Sequence, residues 1–238
     1  MNAVPPSLVD VLRPVRHVLL DFDGPVCSVF AGLPAPEVAA RLRIALRAAG
    51  GQGPTGDEVE TDPLALLRRA SEESPGLVTK IDDALASLET EAVRVGRPNL
   101  GGESVLRACG KSGRSVSVVS NNSGTAIEEY LSLRGLSGYV SGIFGRVPGD
   151  PSSMKPSPRL LQDAMAAAGR KPGECIFIGD AVRDVEAGEA ATVGTIGYAN
   201  KPGKYLRLAT AGAVVVVESM QLIADALMIS GGDNEQVR

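Results

Sequence analysis

The feature that most constrains the fold is a series of short apolar runs, each ending in polar residues and separated by helical patterns. The clearest runs are His17–Leu20, Ser115–Val119 and Cys175–Ile178. Runs this short, bounded by Asp, Gly, Ser or Asn, are typical of buried strands. Because helical segments separate them, the strands are expected to be parallel and covered by helices on both faces. The sequence therefore predicts an α/β, Rossmann-like sheet.

Weaker patterns extend this sheet. They predict strands near residues 141–146, 192–196 and 213–217. The intervening helices are predicted around residues 104–109, 125–133, 157–168, 185–190 and 204–210, with a last helix that ends near residue 229. The polar tail, residues 230–238, is predicted to be disordered.

A long segment without a convincing strand interrupts the sheet. Residues 26–98 contain three helical patterns, 36–49, 62–74 and 77–95, and a Gly-rich loop at 50–57. We therefore expect a discontinuous core, residues 1–25 and 99–238, and a smaller α-helical cap domain, residues 26–98. Ligands of open α/β sheets bind at the carboxyl ends of the strands, so an insertion that leaves from such an end would form a lid.

Composition excludes several classes of function. The 238 residues include 24 Lys and Arg against 28 Asp and Glu, a formal net charge of -4, and no Trp. No partner nucleic acid is expected, because the chain has no block of basic residues and few aromatic side chains on which bases could stack. His17 is the single histidine, and the three cysteines form no CxxC pair. Thiolate or multi-histidine zinc sites and disulfide frameworks are therefore disfavoured.

The sequence also predicts where the protein works. Its apolar runs are much shorter than the ~20 residues that a membrane span needs. The first residues lack the pattern of a secretory signal, with a basic stretch followed by an apolar one. We therefore expect a cytoplasmic protein with no membrane partner. Its oligomeric state, monomer or homodimer, stays open.

Acidic residues follow two of the clearest strands. Asp21 and Asp23 come directly after the first strand, and Asp180 and Asp184 follow the strand at 175–178. Two carboxylates at such a position can divide the chemistry, one attacking or binding a cation and the other exchanging protons. Each motif alone is equally compatible with a turn or a helix cap.

Two further polar features lie at corresponding positions. Ser120 and Asn121 follow the strand at 115–119, where a hydroxyl and backbone N–H groups can hold a phosphoryl oxygen. Lys155 precedes Pro156 and a predicted helix, where it could reach an anion. Singly, a strand-end turn and a solvated lysine are the simpler explanations for these residues.

Taken together, these residues favour a metal-assisted reaction on an anion. Several carboxylates that meet at one sheet edge would repel each other unless a cation offsets them. An all-oxygen ligand set suits Mg²⁺, which binds through one or two carboxylates together with phosphate. The sequence therefore predicts a magnesium site and a small phosphorylated substrate.

The ordered set of motifs resembles the haloacid dehalogenase superfamily. The resemblance rests on Asp21-Phe22-Asp23-Gly24, Ser120-Asn121, Lys155-Pro156 and Gly179-Asp180 with Asp184, in that order. It covers residues 15–25 and 99–217. The insertion is similar to the helical caps of the phosphoglycolate-phosphatase-like branch in its position and length.

The resemblance implies a Mg²⁺-dependent phosphatase mechanism. Asp21 would be the nucleophile that forms an aspartyl-phosphate, and Asp23 would serve as general acid and then general base. Ser120, the backbone of Asn121 and Lys155 would bind the phosphoryl group. The metal ligands would be Asp21, the backbone carbonyl of Asp23, and Asp180. Asp184 would also belong to the metal site, where it would support the metal without binding it directly.

Departures from the family pattern narrow the reaction. Pro25 stands where the family more often has Thr or Val, which affects only the turn. Dehalogenases proper lack a carboxylate at the position of Asp23, so dehalogenation is disfavoured. The cap has no lysine before Lys80, which weakens a phosphonate-cleaving, Schiff-base alternative.

Three alternatives remain at this level. A phosphomutase on the same core would return the phosphoryl group to another hydroxyl. A catalytically quiet, phosphate-binding regulatory protein would have little need of Asp23. A flavodoxin-like receiver domain would share the acidic pocket but would not explain the helical insertion.

Overall fold

Six parallel strands form the central sheet of the computed structural model, which describes residues 4–51 and 60–231. The strands are β1 (His17–Leu20), β2 (Cys27–Ser28), β3 (Arg97–Pro98), β4 (Ser115–Ser123), β5 (Gly142–Arg146), β6 (Cys175–Gly179), β7 (Thr195–Tyr198) and β8 (Val215–Val217). The α-helices are α1 (Pro6–Leu12), α2 (Ala35–Ala48), α3 (Pro63–Glu73), α4 (Val78–Val95), α5 (Leu100–Lys111), α6 (Gly124–Leu133), α7 (Arg159–Ala168), α8 (Val182–Ala190), α9 (Lys204–Thr210) and α10 (Met220–Gly231).

The strand order places the predicted motifs side by side. The order is β5-β4-β1-β6-β7-β8, so β1 lies between β4 and β6. Leu19 of β1 is in register with Ser117 on one side and Phe177 on the other. The chain moves outward from β1 in both directions, and the crevice at such a switch point is where ligands of α/β sheets bind.

Alternating residues of the central strands supply two separate apolar layers. On β1, Val18 and Leu20 join one buried cluster, whereas Leu19 joins the other. The first cluster includes side chains of α1, α5, α6 and α10, and the second includes α7 and α8. Because strand side chains alternate between the two faces of a sheet, this division shows that helices cover both faces. The predicted α/β fold class is confirmed.

The predicted insertion leaves the sheet after β1 and returns before α5. Two very short strands, β2 and β3, pair antiparallel where the chain leaves and returns, with Cys27 opposite Pro98 and Ser28 opposite Arg97. Between them α2, α3 and α4 pack on one another, and α4 also packs on α6 beside the sheet. The two strands were not predicted, because two residues carry no readable alternation.

Other differences from the predicted elements are local. Helix α1 was missed, although Leu8 and Leu12 lie one turn apart and are buried. The predicted strand at 192–196 is misplaced, because β7 begins only at Thr195. Thr192 has a φ of 60° and lies in the turn after α8. Strand β4 continues through Ser123, with an irregular register after Val119.

The prediction of a disordered tail from residue 230 is wrong at its start. Ser230 and Gly231 belong to α10, and the Ser230 hydroxyl accepts a hydrogen bond from Arg114. The other tail residues lie outside the described residues, as does most of the predicted Gly-rich loop. Among the residues that the structure describes, no helix is long and apolar enough to span a lipid bilayer.

Candidate active site

A cavity of about 370 Å³ lies at the carboxyl ends of β1, β4 and β6. The sequence-predicted residues that line it are Asp21, Asp23, Ser120, Asn121, Lys155, Asp180 and Asp184. They come together because β5, β4, β1 and β6 are parallel neighbours, so the loops that follow them open at one edge of the sheet. Residues of the insertion also line the cavity, among them Phe30, Pro36, Asp62 and Leu64.

Lys155 lies between two carboxylates at the floor of this cavity. Its Nζ is 2.7 Å from Asp21 Oδ1 and 2.8 Å from Asp184 Oδ1, and its side chain is buried. Burial opposes the lysine charge, but the carboxylates of Asp184 and Asp21 outweigh it, so the pKa of Lys155 is raised. Two carboxylates share one ammonium group, which leaves this floor with an excess of negative charge.

The same neighbouring charges and the same burial affect the pKa of Asp21. Burial raises the pKa of Asp21 above its usual range, Lys155 opposes this shift, and Asp184 and Asp180 add to it. The ion pair with Lys155 favours the charged form of Asp21 and fixes its carboxylate. A carboxylate fixed in this way is suited to attack an electrophile or to bind a cation.

Asp23 faces the cavity from the turn after β1. Its Oδ1 accepts a hydrogen bond of 3.0 Å from the Val29 backbone N–H, which fixes the carboxylate. Burial raises the pKa of Asp23 to about 6, and the Val29 hydrogen bond limits this shift. A carboxyl group with a pKa near neutrality can both give and take a proton at physiological pH.

The turn after Asp23 needs glycine at position 24. Gly24 has a φ of 108°, a region that side chains of L-residues rarely adopt. A Cβ atom there would lie 2.5 Å from Asp180 Oδ2. Glycine therefore allows the β1 turn and the carboxylate that follows β6 to approach each other closely.

Asp21, Asp180 and Asp184 form a group that fits a divalent cation. Each offers a carboxylate oxygen, and these three atoms lie within 4.8 Å of one another. Asp184 Oδ2 is held in place by the backbone N–H groups of Asp180 and Ala181, at 3.0 and 2.9 Å. Hard oxygen ligands with an excess of negative charge match the preference of Mg²⁺.

Ser120, Asn121 and Asn122 form the irregular end of β4. Asn121 uses its side chain to hold Lys155: its Oδ1 accepts from the Lys155 backbone N–H at 2.8 Å, and its Nδ2 donates to the Lys155 carbonyl at 3.2 Å. Ser120 Oγ accepts from the Asn122 backbone N–H at 3.3 Å. The serine motif and the lysine motif are thus joined directly.

Several residues of this site escaped the sequence analysis. Asn200 and Lys204 both donate to Asp180 Oδ2, Asn200 at 2.7 Å. Arg183 lines the cavity, and Arg68 of α3 donates to the Lys155 carbonyl at 3.1 Å. The position of Arg183 directly before Asp184 was the one signal that could have drawn attention to it.

His17 does not line the cavity, because it lies at the start of β1, whereas Asp21 follows the end of that strand. It is fully buried at the start of β1, and its Nδ1 is 2.6 Å from Ser115 Oγ. Burial lowers the pKa of His17 to about 4, and the positive charge of Arg170 adds to the shift. The imidazole is therefore neutral in the folded protein near pH 7, and its role is structural.

Comparisons with known proteins agree with this geometry. The sequence profile of the haloacid dehalogenase-like hydrolases matches residues 15–192. The phosphoglycolate phosphatase of Salmonella typhimurium strain LT2 is 24% identical over 256 aligned residues, which cover 97% of this chain and 99% of that protein.

Solved structures share the fold. A predicted phosphatase from Clostridium acetobutylicum superposes with a TM-score of 0.68 at 19% identity, covering 90% of this chain and 99% of that one. CbbY of Rhodobacter sphaeroides, in complex with xylulose-(1,5)bisphosphate, gives a TM-score of 0.66 at 16% identity, with coverage of 87% and 95%. At these identities the two similarities establish the architecture alone.

Proposed function

The chain belongs to the haloacid dehalogenase-like hydrolase family, and we propose from this that it is a Mg²⁺-dependent phosphatase acting on a small phosphorylated metabolite through an aspartyl-phosphate on Asp21. The observation that carries the proposal is the Asp21 carboxylate, held 2.7 Å from Lys155 at the floor of the cavity. A second carboxyl group, Asp23, lines the same cavity two residues further along the chain.

The proposed reaction has two steps. In the first, an Asp21 oxygen attacks phosphorus, the bond from phosphorus to the leaving oxygen breaks, and Asp23 gives its proton to that oxygen. In the second, Asp23 takes a proton from a water molecule that attacks the phosphorus, which releases inorganic phosphate and restores both carboxyl groups. The pKa of about 6 for Asp23 suits both transfers.

The phosphoryl oxygens need positive charge and hydrogen-bond donors. Lys155 offers its ammonium group, and Ser120 offers a hydroxyl at the end of β4, together with the backbone N–H of Asn121. Mg²⁺ would be held by Asp21, Asp180 and the Asp23 carbonyl, supported by Asp184, and when bound it neutralises charge that develops on the phosphoryl group. The cluster of carboxylate oxygens within 4.8 Å supports this assignment.

The cavity supports a small anionic substrate. Its volume of about 370 Å³ is at the lower end of the range for ligand pockets. Arg183 adds a positive charge to its lining. The Salmonella relative is named a phosphoglycolate phosphatase, and CbbY binds a sugar bisphosphate, so phosphoglycolate and sugar phosphates are the first compounds to test.

The proposal is tested by measuring phosphate release from an aryl phosphate and from a panel of phosphorylated acids and sugars, with and without Mg²⁺. We expect metal-dependent release that the Asp21→Asn variant lacks. Release by this variant at the wild-type rate would exclude Asp21 as the nucleophile. Interconversion of sugar phosphates with slow release would instead identify a phosphomutase.

A further inference from the structure

Three charged side chains are buried together beside the active site, where the proposed reaction does not use them. Asp82 and Glu89 lie on α4, and Arg146 is the last residue of β5. The exposed fractions of Asp82, Glu89 and Arg146 are 3%, 0% and 3%. Arg146 Nε is 2.6 Å from Asp82 Oδ1, and its Nη1 is 3.0 Å from Glu89 Oε1.

This triad carries two negative charges and one positive charge, so Arg146 alone does not compensate it. The further donors come from segments that bear the site residues. Glu89 Oε2 accepts from the Ser123 backbone N–H at 2.9 Å, and Glu89 Oε1 accepts from Asn122 Nδ2 at 3.2 Å. Asp82 Oδ2 accepts from the Gly149 backbone N–H at 2.7 Å. Hydrogen bonds of this kind, in which one partner is charged, are stronger than those between neutral groups.

Arg146 also contacts the phosphoryl-binding segment directly. Its Nη1 donates to the Asn121 carbonyl at 2.7 Å. The Asn121 side chain in turn makes both hydrogen bonds to the Lys155 backbone. A continuous set of short contacts therefore runs from α4 through Arg146 and Asn121 to Lys155.

We propose that Arg146, clamped by Asp82 and Glu89, is a positioning residue that sets the geometry of the segment Ser120–Asn122 and of Lys155. The proposal rests on the proposed function in one respect, namely that these two elements bind the phosphoryl group. It also assigns α4 a fixed place on the sheet during turnover. Any opening of the insertion would then involve α2 and α3, whose residues line the cavity.

A triad that only stabilised the fold would affect unfolding, whereas a triad that positions the site would also affect the rate of catalysis. Removing one partner of a buried ion pair leaves an unpaired charge and destabilises the fold, whether or not the pair positions a catalytic group. A displacement of about 1 Å in a catalytic group, by contrast, can lower a rate roughly 100-fold. Catalysis and local exchange therefore report on positioning separately from the stability of the fold.

The test uses the full chain with three substitutions. Arg146→Lys keeps the charge but loses the planar fork, and Glu89→Gln keeps the shape but replaces an acceptor oxygen with a donor. Glu129→Gln is the matched control, because its pair with Arg94, at 2.7 Å, likewise ties α4 to the core, through α6, but touches no site segment. Hydrogen exchange, kcat for an aryl phosphate and the midpoint of thermal unfolding are measured for each.

We expect residues 119–123 and 153–156 to lose protection in Arg146→Lys and Glu89→Gln, while β1 and β6 exchange as in the wild type. The kcat of these variants should fall roughly 100-fold, and Glu129→Gln should match the wild type in exchange and rate. Folded variants with wild-type exchange in both segments and wild-type kcat would overturn the proposal, whatever their unfolding midpoint.

Hydrogen exchange tests the positioning role of Arg146 independently of the proposed phosphatase activity. If the wild type releases no phosphate, the proposed function fails, but the exchange of the two segments still decides whether Arg146 positions them. If the variants do not fold, hydrogen exchange in the wild type still tests the proposed fixed place of α4 on the sheet. We expect α4 to be as protected as β4, with and without Mg²⁺ and inorganic phosphate, and opening of α4 while β4 stays protected would overturn it.

Discussion

Lys155 Nζ lies 2.7 Å from Asp21 Oδ1, which joins two residues 134 positions apart in the sequence. The ion pair is buried, and it fixes the carboxylate at the point where β1 ends. Lys155 also contacts Asp184, so one cation links the end of β1 to the first turn of α8. Asp21, the nucleophile that we propose, is thus placed by a residue that would also supply positive charge to the phosphoryl group.

Replacing this cation should destabilise the fold in a pH-dependent way. Lys155→Met leaves Asp21 and Asp184 buried without their partner, a change that costs about 3 kcal/mol or more. Protonation of these buried carboxyl groups relieves the cost. The folded variant therefore keeps protons on them at pH values at which the unfolded chain has released those protons. Stability relative to the wild type should therefore fall as the pH rises from about 5 to about 8.

Denaturant unfolding at both pH values measures this effect. Lys80→Met, at an exposed position of α4, is the control and should unfold like the wild type. An equal loss of unfolding free energy at the two pH values would contradict the electrostatic explanation.

Asp180 should control metal affinity. Asp180→Asn removes a charged ligand from the carboxylate cluster, so the dissociation constant for Mg²⁺ should rise at least about 10-fold. Lys204→Met should have the opposite effect, because Lys204 pairs with the same carboxylate and a cation there competes with Mg²⁺. Calorimetric titration of each purified variant with Mg²⁺ compares the two. Identical affinities in the wild type and Asp180→Asn would remove Asp180 from the metal site.

His17 should give a clean signal in the acid unfolding of the protein. Its pKa is about 4 in the fold and 6.5 in the reference state, so the unfolded chain binds the extra proton between these values. Stability due to this group is therefore fully present above pH 6.5 and declines as the pH falls toward 4. The decline amounts to about 3 kcal/mol at most.

The measurement is direct, because His17 is the single histidine of the chain. Proton NMR of the imidazole gives its titration in the folded state. His17→Asn, which can keep a contact with Ser115, should flatten the pH dependence of unfolding in this range. A folded-state pKa near 6.5 would contradict the assigned burial effect.

The sequence analysis was most successful where a pattern is local. The run His17–Leu20 coincides with β1, and the helix at 204–210 coincides with α9, because apolar periodicity and turn residues act within a few positions. Strand β7 was misplaced, since the turn that Thr192 adopts is not encoded in apolarity. The pairing of β2 with β3 depends on residues that are distant in the sequence, and no local pattern predicts it.

The residues of the candidate site divide in the same way. Carboxylates that follow strands are visible in the sequence, and their convergence follows from a parallel sheet. The partners of these carboxylates are not visible, because Lys204 reaches Asp180 and Arg146 reaches Glu89 only through tertiary packing. Asp82 and Glu89, seven residues apart, lie on the buried face of α4, and charged residues among its apolar ones were the available signal.

The most direct test of the account is to trap the phosphorylated carboxylate. The wild-type enzyme is mixed with a rapidly hydrolysed phosphate ester and Mg²⁺, quenched in acid, treated with borohydride and digested for mass spectrometry. The account predicts reduction of an acyl phosphate at Asp21 to homoserine, absent when Mg²⁺ or the ester is omitted. Turnover with no modification at Asp21, or with modification at Asp23 or Asp180 instead, would contradict it.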